Sequence, residues 1–350
     1  MATIKEVAQR AQVAISTVSN IINRSKYVSP EVTARVQAAI IELNYKADPI
    51  ARNMKAARSQ MIGIVVTDSS RIFFPPVIKS AQAVAAKENY QVMILDSNDS
   101  RAQEETYVNM MTQSRFDGII LDSVAGFEDA AYFHHLANLS YRNKRIPVVS
   151  IERNLEPYGI DSVISDNYLG AKDAVRHLIS CGCKRVMHIA GPANSSMAED
   201  RLRGYRDALK DAGIEPANRW IGFGDFSLPG GYEVMKLFLE NGQAEGIDAL
   251  FVSNDQMAIG ALKALREAGL DVPARIRVVG FDDTFVASII DPQLTTMHVS
   301  GKQIGTQAMG LLIQRLNHPG LEPQLIKLDV RLVVRKSTDP GAVEKWDVRT

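Results

Sequence analysis

Cysteine is almost missing from this chain: the two present, Cys181 and Cys183 in 350 residues, cannot build a disulfide framework. One residue between them, with no second pair nearby, does not make a zinc site either, so they read as free thiols beside a strand. Long apolar runs are missing too. Without about eighteen consecutive apolar residues no transmembrane helix forms, and the N-terminus is a polar helical pattern rather than a charged segment followed by an apolar one. The protein is therefore expected in the cytoplasm, with no membrane partner. Short catalytic motifs are also lacking: there is no Gly-x-Ser-x-Gly elbow, no Gly-rich loop ending in Lys-Ser/Thr, and no His-Glu-x-x-His pattern. An enzyme is thereby a remote alternative, and neither a cofactor nor a metal is expected. No segment is low-complexity. At 46% apolar and 23% charged the composition is that of an ordinary globular chain, long enough for a small head and two core-forming domains.

Net charge is zero as well, but the average hides an asymmetry. Residues 1–60 hold nine cations (Lys5, Arg10, Arg24, Lys26, Arg35, Lys46, Arg52, Lys55, Arg58) against four acids (Glu6, Glu31, Glu42, Asp48), a net of +5 that leaves −5 for the rest. A basic end on an acidic body fits phosphate binding confined to one end, with affinity that falls as salt rises.

That basic end has its own pattern. Thr3-Ile4-Lys5-Glu6 is a capping box, in which the Thr3 hydroxyl accepts from the Glu6 N–H and the Glu6 carboxylate reaches back to the Thr3 N–H. Ile4, Val7, Ala8 and Ala11 then share one helical face. Gln12-Val13 turns the chain into a second apolar-striped segment carrying Val18, Ile21 and Ile22. A third helix starts at Ser29-Pro30-Glu31, with Ser29 as N-cap, and runs to about Asn44, burying Val32, Val36, Ile40 and Leu43. Two short helices across a tight turn form a helix-turn-helix, whose second helix enters the major groove. Here that helix exposes Ile15, Ser16, Thr17, Ser19 and Asn20; an Asn pairs bidentately with adenine, and an Ile touches a thymine methyl. A three-helix protein-interaction module is the plainer alternative.

The run Ala2 to Ala8, then Val13, Thr17-Val18-Ser19 and Ile22-Asn23, continued by Leu43-Asn44-Tyr45 and Ala51-Arg52, resembles the head of the LacI/GalR family of bacterial repressors. The resemblance implies a homodimeric, sequence-specific regulator of transcription bound to double-stranded DNA at a pseudo-palindromic operator. It makes Ile15, Ser16 and Asn20 the base-reading positions, with further DNA contacts from Thr3, Thr17, Ser19, Asn23 and Tyr45. Ala14 departs from the family's usual Ser and removes a hydroxyl cap, at a cost of about 1 kcal/mol. Gln12 stands where many members have Gly.

Asp48-Pro49 to Ala57 reads as N-cap, first-turn proline and good helix formers. A helix that short is marginal alone, so its helicity depends on what it packs against. By the resemblance, paired hinge helices enter the minor groove and wedge the central base step. Met54 is the wedge where members usually have Leu, with Arg52 and Lys55 beside it.

From Met61, short apolar strands alternate with helices: 61–66, 92–95, 118–121, 147–151, 185–190, 249–252 and 278–281. Such alternation implies parallel sheets that bind ligands beyond their carboxyl ends. The body resembles the type I periplasmic sugar-binding fold carried by this family. The expected fold class is therefore a small all-α helix-turn-helix head (1–46) plus hinge helix and linker (47–60), joined to an α/β body of two doubly wound parallel-sheet subdomains (61–340) and a tail (341–350). Subdomain 1 is expected at about 61–162 plus 293–325, and subdomain 2 at 163–292 plus 326–340. The stretch from Ser337 to Thr350 has no leucine heptad, so the tetramerising helix of the lac repressor is not expected. Family positions imply that Arg201, Phe226, Asn254 and Asp282 bind a small-molecule effector. Phe73 and Phe74 would line the other wall, and Glu152 stands where many members have Asp. Asp166-Asn167 is a weaker candidate. A planar Arg fork beside a carboxylate favours a sugar or sugar derivative. A purine or nucleoside stacked on the phenylalanines, or a protein cofactor instead of a small molecule, are the alternatives.

Overall fold

The computed structural model describes residues 2–23, 26–45 and 58–343. The hinge positions Arg52, Met54 and Lys55 and the side chain of Asn23 lie outside the described residues. Two compact units, Met1–Gln60 and Met61–Thr350, divide the chain.

The first unit holds α1 (Ile4–Arg10), α2 (Ile15–Asn23) and α3 (Pro30–Glu42) around Val7, Ala8, Ala11, Val18, Val36 and Ala39. The capping box forms as the sequence demands: Glu6 N–H donates to Thr3 Oγ1 at 3.3 Å and Thr3 N–H to Glu6 Oε2 at 2.6 Å. Those bonds, the backbone one foremost, hold the Glu6 carboxyl below its ordinary range. Ser29 does occupy the N-cap of α3, but its hydroxyl makes no capping bond. The tight turn runs through Gln12 in the left-handed region, φ 52°, a conformation that costs a side-chain-bearing residue about 1 kcal/mol and glycine almost nothing.

The second unit begins with β1 (Met61–Val66), α4 (Phe74–Lys87), β2 (Gln91–Asp96), α5 (Arg101–Gln113), β3 (Gly118–Leu121) and α6 (Ala130–Ala137). A small hairpin of β4 (Ser140–Tyr141) and β5 (Lys144–Arg145) precedes β6 (Val148–Ile151) and β7 (Asp161–Ser165). Next come α7 (Asn167–Ser180), β8 (Val186–Ala190), α8 (Ser196–Asp211), β9 (Ile221–Phe223), α9 (Leu228–Glu240) and β10 (Ala249–Val252). α10 (Asp255–Glu267), β11 (Arg277–Asp282), β12 (Thr295–His298), α11 (Gly301–Asn317), β13 (Leu325–Leu328) and β14 (Arg331–Val333) complete the order.

These strands form two six-stranded sheets, β13-β7-β6-β3-β1-β2 and β14-β12-β11-β10-β8-β9, parallel throughout except for β14. The first sheet lies between α4 with α11 and α5 with α6, so alternate residues such as Ile64 and Val65 serve opposite cores. The second lies between α7 with α8 and α9 with α10, with Phe251 and Val252 divided in the same way. Strands buried on both faces read as near-continuous apolar runs, which is why the central ones were visible in the sequence.

Sheet membership places all three crossings later than expected. β7 stays in the first sheet as far as Ser165, so the first crossing falls at about 166, not at 162. β12 hydrogen-bonds to β11, so residues 295–298 belong to the second half and the chain crosses at about 299, not at 293. β13 pairs with β7 as far as Leu328, so the last crossing follows that residue rather than preceding 326. Both strands are short and half polar, and their partners could not be assigned from pattern.

Candidate DNA-reading face and effector cleft

At the amino-terminal end of α2, Ile15 is 39% exposed and Ser16 is exposed, whereas Val18 one turn on is fully buried. Thr17, Ser19 and Asn20 are half-buried. The helix starts from Ala14, whose carbonyl accepts from Thr17 and Val18 N–H groups and whose side chain offers no acceptor. Two expected contacts have local duties. The Thr3 hydroxyl belongs to the capping box, and Tyr45 packs against the core of the head.

In the body, the carboxyl ends of the two sheets face one another and carry the candidate effector residues. The backbone there bends into the left-handed region at Glu152 (φ 56°), Phe226 (67°), Asp282 (108°) and Asp283 (55°). Strain of this kind in side-chain-bearing residues costs about 1 to 3 kcal/mol each and persists where the surroundings over-determine it.

Arg201 is fully enclosed by its neighbours. Its Nε donates to Asn167 Oδ1 at 2.8 Å, Nη1 donates to the Ser253 carbonyl, and the guanidinium lies 3.8 Å from the Phe281 ring centroid. Nη2 stands 3.6 Å from Asp282 Oδ1. α8 can carry Arg201 so deep because Gly204, one turn on, lets α7 approach: a Cβ there would sit 2.4 Å from the Tyr168 carbonyl. Burial pulls the Arg201 pKa down while Asp282 and Glu152 push it back, and a guanidinium stays charged throughout. Asp282 titrates well above the carboxylate range, first because it is buried, with Arg201 opposing that and Asp255 adding to it.

Asn254 caps α10, accepting from Met257 N–H at 2.9 Å, and its Nδ2 donates to the Phe226 carbonyl at 2.9 Å. Phe226, 6% exposed, lies over Gly191, where a Cβ would fall 2.3 Å from its ring. Phe73 and Phe74 part company. Phe74, Val77 and Ala81 are buried on the apolar face of α4, in one core with Ile62 and Ile64, so Phe74 is core and the half-buried Phe73 is the accessible ring. Glu152 also departs from expectation. Its Oε1 accepts from Ser165 N–H (3.1 Å) and Oγ (2.8 Å) and its Oε2 from Asn167 Nδ2 (3.1 Å), so the longer arm bonds to the β7–α7 crossover.

Further groups belong to this cleft. Asp122, directly after β3, accepts from Thr67 Oγ1 at 2.8 Å, and burial raises its pKa to about 7. Arg153, 7% exposed, follows Glu152; its Nε and the Ser253 hydroxyl are buried without a hydrogen-bond partner among the described residues. Arg71 reaches from the first half to the second: it donates to Thr67 Oγ1 at 2.9 Å, pairs with Asp99 at 2.6 Å, approaches the Asp225 carbonyl at 3.4 Å, and lies 5.5 Å from the Phe226 ring. Beside it, Ile72 N–H donates to Gln256 Oε1 at 3.0 Å. For Asp122, Arg153 and Ser253 the signal was position, since each directly follows a strand or the predicted Glu152. Arg71 had no such signal.

Among the described residues no helix is long and apolar enough to cross a membrane, and no group of three His, Cys, Asp or Glu is placed to hold a metal ion. Residues 3–48 match the model of bacterial regulatory proteins of the lacI family, and residues 175–338 that of a periplasmic binding protein-like domain. The ribose operon repressor of Escherichia coli (strain K12) is 33% identical over 339 residues, covering 96% of this chain and 100% of that protein. The HTH-type transcriptional repressor PurR of Edwardsiella ictaluri is 33% identical over 342 residues, covering 97% and 98%. Among solved structures, the lac repressor dimer bound to operator and the anti-inducer ONPF superposes with a TM-score of 0.85 at 28% identity, over 96% of this chain and 99% of that one. With a helical head, two facing parallel sheets and full-length similarity to repressors, the chain belongs to the lacI family of bacterial regulatory proteins and is a transcriptional regulator, not an enzyme.

Proposed function

We propose that this regulator is a homodimeric, cytoplasmic repressor that reads a pseudo-palindromic operator and answers to a sugar or sugar derivative bound between the two sheets. α2 supplies Ile15, Ser16 and Asn20 to base edges, with Thr17, Ser19 and Asn23 on the backbone and Met54 as hinge wedge. One head reads only a half-site, so a two-fold partner is required. Exposed apolar side chains support that partner: Met93 (38%) and Ile94 (40%) on edge strand β2, and Phe223 (53%) on edge strand β9. The division into head (1–46), hinge (47–60) and body (61–340) is part of this reading.

One observation carries the sugar: the cleft buries more acceptors than its own donors engage. The Asp122 carboxyl has the Thr67 hydroxyl, and Asp282 has a single long contact to Arg201. Hydroxyl groups donate to carboxylates and accept from Arg153 and Arg201, so a polyol satisfies both sides. A purine would need open aromatic faces. Of the three candidate phenylalanines only the half-buried Phe73 offers one: Phe74 is core, and Phe226 is closed in by Gly191 and Arg71, so no pair of rings is open to sandwich a base. The similarity to a ribose operon repressor points the same way, and that to PurR keeps the purine as the competing outcome.

The test is a thermal-shift screen against pentoses, hexoses, disaccharides, sugar phosphates, nucleosides and purines. A ligand at about 100 times its dissociation constant stabilises by about 2.7 kcal/mol. A sugar hit, lost in Arg201→Ala while operator binding persists, supports the reading. A purine hit transfers the cleft to purines, and silence from a folded, DNA-binding protein transfers control to a protein cofactor.

A further inference from the structure

Glu152, Asn167, Arg201 and Asp282 form one chain of polar contacts that passes from the first half of the body to the second. Glu152 and Ser165 belong to the first sheet and its loops, whereas Asn167 opens α7, and Arg201 and Asp282 belong to the second half. The middle member is a primary amide with each end committed. Its Oδ1 accepts from Arg201 Nε at 2.8 Å, and its Nδ2 donates to Glu152 Oε2 at 3.1 Å and to the Ser165 carbonyl at 3.2 Å. Guanidinium Nε only donates and a carbonyl only accepts, so the amide has one workable orientation, and reversing it would break every bond at once. Asn167 is 3% exposed and Glu152 5%, so water offers neither a substitute partner.

We propose that Asn167 is a positioning residue for Arg201, and that Glu152, in turn, holds Asn167, so that the grip on the effector is tied to the crossover between the halves. Nε fixed by Asn167 and Nη1 fixed by the Ser253 carbonyl leave Arg201 no freedom to swing about its long side chain. Nη2 and the outer edge of the guanidinium are what remain for an effector beside Asp282. The extra methylene of Glu152, compared with aspartate, lets its carboxylate reach both Ser165 and Asn167; an aspartate on the same backbone would stop short. The residue that would otherwise touch the ligand thus becomes a strut behind the residue that does. The Glu152 to Asn167 contact spans the 165–167 crossover, so a change in the angle between the halves there alters it, and its loss reaches Arg201 through one amide.

This inference rests on the reading of the cleft as an effector site, and its test separates the two. The arginine Nε–H spectrum of the 15N-labelled full chain reads Arg201 without any ligand, and Arg201→Lys assigns the resonance by its disappearance. The parent should show slow solvent exchange at that proton, and folded Asn167→Ala an exchange at least tenfold faster. Asn167→Leu, which keeps the volume but lacks the acceptor, repeats the comparison if the alanine variant does not fold. Titrating D-ribose and D-glucose then gives affinities. Asn167→Ala should weaken binding about tenfold in the parent and change nothing further in the Arg201→Lys background, because lysine has no Nε–H for the amide to hold. Unchanged exchange in the folded variant, no slow Arg201 resonance in the parent, or losses that add across the two substitutions would overturn the proposal. Faster exchange with no sugar perturbing the resonance would uphold the strut and overturn the sugar reading.

Discussion

Asp122→Asn should stabilise the effector-free protein, and by more the higher the pH. The Asp122 carboxyl is 6% exposed, accepts from Thr67 Oγ1, and titrates at about 7 where an unburied aspartate titrates near 3.8, with burial as the main cause. Because the folded pKa is the higher one, the folded chain keeps a proton that the unfolded chain releases. Below about pH 3.8 the group is neutral in both states and contributes nothing. From there to about pH 7 the folded state loses ground at about 1.4 kcal/mol per pH unit, and above pH 7 the full cost of about 4 kcal/mol is in place. Asparagine has the same shape, accepts from the same hydroxyl and cannot ionise. The stability gap between variant and parent should therefore widen by about 2.6 kcal/mol between pH 5 and pH 8, a difference of about 4 °C in melting temperature for a unit of this size. Calorimetric melts of both proteins at the two pH values measure it. Parallel pH dependences would mean that Asp122 is already ionised in the folded protein at pH 5, so that its carboxylate is well served by donors and the cleft holds no unmet acceptor there.

Three further outcomes are expected. Asn20→Ala should relax base preference at one operator position, lowering discrimination there by about 1 to 3 kcal/mol, and competition binding against single-substituted operators reads this directly. His188 lies stacked between Tyr205 and Phe251 with its pKa pressed down to about 3 by burial, so the unfolded chain takes up a proton below pH 6.5 that the folded chain refuses. From pH 8 to pH 5 this should cost the parent about 2 kcal/mol, and denaturant titrations of His188→Leu should lack that component of the pH slope. Gly204→Ala should force α7 and α8 apart, since the new Cβ would sit 2.4 Å from the Tyr168 carbonyl. A loss of about 1 to 3 kcal/mol and a weaker effector response should follow, and an unchanged melting temperature would show that the helices separate at no cost.

The head was legible because its signals are local. A capping box, a proline at the first helical position and apolar spacing of three and four fix α1 to α3 without any distant partner. The central strands β1, β3 and β10 were legible because burial on both faces leaves an unbroken apolar run. β12 and β13 were not, because Thr295-Thr296 and Leu325 to Leu328 acquire their meaning only from the neighbours they reach after crossing between halves. The same limit applies to the cleft. Arg201, Asn254 and Asp282 were singled out as candidates by their family positions, whereas the inward turn of Glu152 depends on Ser165 and Asn167, and the burial of Phe74 on the orientation of α4. Arg71 escaped notice because a lone arginine in a loop carries no pattern until Asp225 and Phe226 stand across from it.

The way the two sheets share the chain also sets the order in which the protein can be finished. Most of the first sheet is synthesised by Ser165, yet its edge strand β13 arrives at Leu325 to Leu328, after nearly the whole second half. The second half waits as well, because Arg335 and Ser337 bond back to Leu294 and Val278. Neither half can therefore be cut out as one continuous segment, and neither is complete until late in translation. The head, an uninterrupted stretch at the start, needs none of this. A chain stalled or truncated before β13 would hold a finished reader attached to an unfinished controller, so loss of the last strands should abolish regulation long before it abolishes the head's own fold.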